Sequence, residues 1–227
     1  MTAFPKSSID FIQTLEKNNN KEWFAAHKVD YEKEKTKVIA FADVLLTEMN
    51  THDNIENESG KKCLHRIYRD IRFSKDKTPY KNHWPISFNR ASKLLRGSYY
   101  VHIEPGKIFI GCGFWDPSKE DLLRIRQQIS MFGNELTAIL ENKDFVKNFG
   151  SLQGEKLVNG PKDFEKDDKY IELLKYKQFL ISKTFTDEEA LNPDFAKELS
   201  KTFKKMRPFL DFISEALTTD VNGEPII

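Results

Sequence analysis

The residues best suited to chemistry lie in one short run, Arg66 to Lys81, which reads RIYRDIRFSKDKTPYK. Six of its side chains are cationic (Arg66, Arg69, Arg72, Lys75, Lys77 and Lys81) and two are acidic (Asp70 and Asp76). That is a local excess of four in a chain whose formal net charge is +1. Guanidinium forks bind the paired oxygens of phosphate or carboxylate. The turn SKDKTP adds the Ser74 hydroxyl and backbone N–H groups, which suits a compact anion better than a nucleic acid. The arginines alternate with apolar residues. On an extended strand this puts Arg66 and Arg72 on one face and Arg69 on the other. The expected ligand-binding set is therefore Arg66, Arg72, Ser74, Lys75, Lys77 and Lys81. Asp70 is expected to orient one arginine, and Arg69 to serve as an internal partner. The alternative is a protein-interaction or structural module in which the same segment is an internal ion-pair network.

Other candidates are thinner. Asp70 and Asp76 can act as acid and base or hold a cation, but aspartates beside arginines more often serve as their ion-pair partners. His83 lies near the basic run and His102 on a strand, and each reads as a half-buried polar residue. His27, His52 and His65 lack metal-ligand spacing, and Cys63-Leu64-His65 lacks the two further ligands zinc needs. Cys112, between Gly111 and Gly113, reads as a small core residue. Glycines on a strand let another backbone or a ligand approach closely, so Trp115 just beyond them is a candidate aromatic wall. The sequence holds no Walker loop, dinucleotide fingerprint or nucleophile elbow. Catalytic residues and cofactors stay unassigned, and no metal is expected.

The positioning elements follow from periodicity and capping. Ser7 or Ser8 can cap a first helix ending near Asn18. Asn20 can cap a long second one through Met49, with its charged stretch between Tyr31 and Val38 in solvent. LHRIYRDIRF, residues 64–73, alternates like a strand, with a helix through Leu64, Ile67, Tyr68 and Ile71 as the alternative, and PISFNR is a shorter strand. SYYVHIEPGKIFIGCGFW reads as a hairpin around Pro105-Gly106, with Pro presetting φ and Gly supplying a positive one. This hairpin is expected to be a central antiparallel pair, with the 64–73 strand in the same sheet. Asp116 with Pro117 opens a helix, another covers about 133–142, and a short one ends at Gly150. QFLISKTF has the strand pattern of apolar and β-branched residues, Thr186 begins a capping box, and the last helix, about 193–217, should kink or split at Pro208.

Composition bounds the rest. Charged residues make up 31%, yet the 18 Phe, 7 Tyr and 3 Trp are too many for a disordered chain. The near-zero net charge gives no global pull toward nucleic acid or anionic lipid. No stretch reaches the length of a membrane span, and the N-terminus lacks a signal-peptide core. A cytoplasmic protein with Cys63 and Cys112 as reduced thiols is expected. No oligomeric state is read.

The run RDIRFSKDKTPYK, with NNNKEWFAAHKVDYE, the hairpin ending in GFWDP, and LLKYKQFLISKTFTDEE, resembles the Domain of Unknown Function 2461 family, whose bacterial and fungal members carry an RDxRFSxDKxPYK box. The resemblance spans nearly the whole chain. It implies no reaction and supplies no catalytic residues. The expected fold class is α+β. It is read as a central antiparallel sheet with flanking helices in a single domain, 1–227, with N-terminal helices at about 7–49, a sheet-rich centre at about 64–115, and C-terminal helices and a strand at about 116–217.

Overall fold

The hairpin forms where its turn chemistry places it. In the computed structural model, which describes residues 2–91, 93–220 and 223–226, β1 (Trp84–Asn89), β2 (Ser98–Ile103), β3 (Ile108–Phe114) and β4 (Phe179–Phe185) make one antiparallel sheet in the order β1-β2-β3-β4. β2 and β3 are the middle pair. Gly106 has φ 75°, and the Lys107 N–H donates to the Glu104 carbonyl at 2.9 Å, closing the turn over Pro105-Gly106. Alternation sets what each side of β2 meets. Tyr99, Val101 and Ile103 are buried, while Tyr100 and His102 between them are half-buried.

Helices flank the strands at both ends of the chain, so the fold is α+β. Three N-terminal helices are α1 (Lys6–Lys17), α2 (Lys21–Ala26) and α3 (Lys28–Met49), followed by α4 (Gly60–Cys63). Asn20 caps α2 by accepting from the Trp23 N–H at 2.8 Å. The single long helix expected here breaks at His27, whose φ −107° and ψ 19° are not helical. Neither serine caps α1, because Pro5 holds that position. Ser7 and Ser8 instead donate to Glu34 Oε2, both at 2.8 Å. Glu34 is thereby buried, against the expectation of a wholly solvated charged stretch.

Toward the C-terminus come α5 (Lys119–Leu140), α6 (Lys143–Phe149), α7 (Ile171–Leu174), α8 (Asp187–Ala190) and α9 (Phe195–Thr218). α5 is capped by Ser118 rather than Asp116, and it absorbs the helix expected at 133–142 across an irregular Phe132. Thr186 and Glu189 form the capping box of α8. α9 continues past Pro208 without splitting.

The expected strand over 64–73 does not form. Leu64 pairs with Ile86 of β1, and Tyr68 with Tyr80, only as isolated bridges. The reason is local competition. Asp70 accepts from the Arg72 N–H at 3.2 Å and Asp76 from the Thr78 N–H at 2.9 Å, folding residues 70–78 back on themselves.

The chain divides into two compact units. One comprises Met1–Phe88, Tyr100–Ile110 and Thr184–Thr202, and the other Asn89–Tyr99, Gly111–Lys183 and Phe203–Ile227. The first has Ile12, Leu15, Phe41, Leu45, Trp84, Ile86 and Phe195 in its core. The second has Tyr99, Ile125, Ile129, Leu136, Phe179 and Phe209. Cys63 and Cys112 are free and buried. No described helix is long and apolar enough to cross a membrane.

Candidate functional site

The basic run is a loop closed at its base. The Arg69 N–H donates to the Pro79 carbonyl at 2.9 Å, and the Lys81 N–H to the Ile67 carbonyl at 2.8 Å. Buried Ile67 anchors it to the first unit, while Phe73 at its far end is 96% exposed. Most of its cations are turned onto the loop itself. Arg69 pairs with Asp76 at 2.5 Å and also donates to the Thr78 hydroxyl. The Thr78 N–H and then the Arg69 guanidinium hold the Asp76 carboxyl down at about 2. Arg72 grips Asp70 with two prongs, Nε to Oδ1 at 3.0 Å and Nη2 to Oδ2 at 2.6 Å. Lys77 donates to the Ile71 carbonyl at 2.8 Å. Lys81 donates to the carbonyls of Arg66 and Tyr68, at 2.5 and 3.2 Å.

Arg66 is different. Among the described residues its guanidinium has no ion pair, and it lines a surface groove of about 280 Å³ between α2, α3 and the start of the loop. Lys28, Lys35 and Lys61 line the same groove, against the single carboxylate of Glu32. Four cationic residues and one acidic residue in the lining leave a formal excess of three. Lys35 also pairs with Glu32 at 3.0 Å and lies over the Tyr31 ring at 5.6 Å. The apolar part of the wall is aromatic, from Phe24, Tyr31 and Tyr68. Phe24 is fixed by stacking on Tyr80 at 4.0 Å, and Tyr31 by stacking on Trp84 at 5.8 Å. Tyr68 is 51% exposed and offers a ring face. His65, also in the wall, is kept below its ordinary pKa by burial and by the Lys81 charge, so it is neutral at pH 7.

Of the residues expected from sequence to bind a ligand, the groove gathers only Arg66. Arg72, Ser74, Lys75, Lys77, Lys81 and Asp70 do not line it. The lysines it adds carry a readable signal. Lys28, Glu32 and Lys35 stand four and three residues apart, hence on one face of α3.

A second polar cluster lies on β2 and its turn. His102 and Glu104 alternate onto one side of the strand, and His83 precedes the neighbouring β1. The His83 and His102 rings stack at 4.0 Å, and Phe109 stacks on the His102 ring at 4.6 Å. His102 Nε2 lies 2.9 Å from Glu104 Oε2, and His102 Nδ1 lies 3.3 Å from the Tyr100 hydroxyl. Glu104 Oε1 accepts from Asn82 Nδ2 at 3.1 Å and Lys107 Nζ at 3.0 Å. Burial, then the His102 charge, pushes His83 down to about 4. Among the described residues these three form the group whose donor atoms converge. Sequence spacing hid it, because the two histidines are nineteen positions apart and meet only across strands.

At Gly111 and Gly113 the close approach is made by a backbone. A Cβ at Gly113 would lie 2.0 Å from the Phe179 carbonyl oxygen, and one at Gly111 2.9 Å from that of Ile181. Trp115 beyond them is exposed.

A family model described as a conserved hypothetical protein (DUF2461) matches residues 7–212. The chain belongs to the DUF2461 family. The matched span of this DUF2461 chain takes in the basic loop, the cationic groove and the histidine cluster. No curated protein and no solved structure matches it.

Proposed function

We propose that the DUF2461 chain binds a small anionic ligand, bearing phosphate or carboxylate, in the groove between α2, α3 and the basic loop. The observation that carries this reading is the convergence of Arg66, Lys28, Lys35 and Lys61 on an aromatic wall with one opposing carboxylate. Arg66 supplies a planar fork, the lysines supply charge, and Tyr68 supplies a face for a flat organic body. The volume of about 280 Å³ falls just below the range for small-molecule sites, about 300–1,000 Å³, which favours a compact ligand over a polymer.

The self-paired state of Arg69 and Arg72 supports the second reading for the rest of the loop, an internal network that holds its own shape. The two readings divide the segment between them, with Arg66 on the ligand side.

A thermal-shift titration of the full chain with inorganic phosphate, citrate, AMP and ATP, against uncharged adenosine, tests this. At least one anion should raise the melting temperature, since selective binding to the folded state stabilises it. Arg66→Ala should weaken that ligand by about 10- to 100-fold, the worth of a charge-assisted hydrogen bond. Arg72→Ala should leave it unchanged. No shift with any anion, or a shift that survives Arg66→Ala and Lys61→Ala together, would sink the groove reading and leave the structural one.

A further inference from the structure

We propose that His83, His102 and Glu104 form a binding site for a divalent first-row transition-metal ion of the zinc type. Two imidazoles and one carboxylate are a donor set suited to such ions, and three protein ligands leave further coordination positions for water or substrate. The donor atoms of the three side chains lie within 4.8 Å of one another. Around an ion with bonds of about 2.0–2.2 Å, tetrahedral ligands stand roughly 3.4 Å apart. Closing that gap requires His83 and His102 to turn out of their 4.0 Å stack so that both nitrogens point at one ion.

The surroundings fit ligands rather than a lone hydrogen-bonded pair. His102 and Glu104 are two residues apart at the end of β2, so the period of the strand aims both at one side. Glu104 is held by two donors on one oxygen, Asn82 and Lys107, which leaves the other turned toward His102. His102 meets the Tyr100 hydroxyl at its far nitrogen, and His83 meets the Asn82 side-chain oxygen at Nδ1, 3.3 Å away. His83 thus has one nitrogen on an orienting partner and the other open, while His102 Nε2 is bonded to Glu104, a contact that an ion between the two would replace.

The test uses tag-free, full-length protein stripped with a chelator and dialysed. Zinc is titrated by calorimetry, and cobalt(II) is followed by its visible absorption. One ion per chain is expected for each metal, with a cobalt spectrum of low coordination number. His83→Ala and Glu104→Gln should each weaken zinc by about 100-fold or more, since even outer partners of such ligands cost about 10–100-fold. His27→Gln, on the break between α2 and α3, should not. Circular dichroism confirms that each variant is folded. Should His102→Ala fail to fold, His83→Ala and Glu104→Gln decide alone, because neither residue lies inside a strand. Sub-stoichiometric binding, or one-ion binding that persists in both variants, would overturn the proposal. The anion titration does not depend on the outcome, so the two readings fail separately.

Discussion

Gly113→Ala separates the two reasons a strand can carry glycine, a neighbouring backbone or a ligand. The Gly113 φ is 133°, a conformation that costs a residue with a Cβ about 1–3 kcal/mol. The added methyl would also sit 2.0 Å from the Phe179 carbonyl oxygen of β4. Carbon–oxygen contacts between strands are about 3.3–3.6 Å, so β4 must retreat by more than roughly 1 Å from a spacing of about 4.8 Å. Such overpacking adds about 1–3 kcal/mol. Together the substitution should cost about 2–6 kcal/mol, a large part of the roughly 5–15 kcal/mol that holds a domain together. Gly106→Ala is the matched control. Its φ is 75° and a Cβ there meets nothing within 4 Å, which leaves only the left-handed backbone cost of about 1–2 kcal/mol. Thermal unfolding followed by tryptophan fluorescence and far-ultraviolet dichroism reads both. At about 2–4 °C per kcal/mol for a chain of this size, the mid-range costs of about 4 and 1.5 kcal/mol put Gly113→Ala roughly 5–10 °C below Gly106→Ala. Equal losses in the two variants would refute the argument and reopen the reading of these glycines as room for a ligand.

Asp211→Ala removes an ion-pair partner of Arg90, whose side chain is only 2% exposed. It should cost about 3 kcal/mol, the low end for a broken buried pair because Asp211 itself is half-exposed. A loss under about 1 kcal/mol in a urea titration would contradict this. Glu34→Gln tests the buried serine–glutamate contact through pH. Burial pushes the Glu34 carboxyl up, but hydrogen bonds from Lys37, Ser7 and Ser8 outweigh it and hold the group below its ordinary 4.5. A carboxyl lowered on folding contributes stability that is full above about 4.5 and is lost as pH falls through the lowered value. The stability gap between wild type and Glu34→Gln should therefore be widest near neutral pH and close in acid. A gap independent of pH would show that the charge of Glu34 contributes nothing.

What could be read from the sequence was what is decided locally. Pro105-Gly106, the Asn20 cap and the Thr186–Glu189 box each depend on a few adjacent residues, and each formed. The strand over 64–73 failed because alternation is a weaker instruction than two aspartates that bind the backbone two residues ahead. Ser7 and Ser8 were misread as caps because their true partner, Glu34, is 26 or 27 residues away and enters from another helix. The same distance hid the site. Arg66 was visible within its charged run, but Lys28 and Lys35 come from α3 and Lys61 from α4. His83 and His102 gain meaning only when β1 and β2 lie side by side.

Counting charge along the basic run overstates what it can offer a ligand. Arg69 and Arg72 are taken by its own aspartates, Lys77 and Lys81 by its own carbonyls. A loop with few apolar anchors needs such bonds to hold one shape, because ordering each residue costs about 1–2 kcal/mol of backbone entropy. Lys81 makes the division of labour clearest. Its ammonium binds the carbonyls of Arg66 and Tyr68, the two loop residues with the most to offer the groove, and Asn19 brackets the adjacent Tyr80 through both its N–H and its carbonyl. The cations of the loop thus fix the backbone from which one guanidinium and one aromatic ring project. A site built this way has its charge density set by residues outside the run and its geometry set by residues within it.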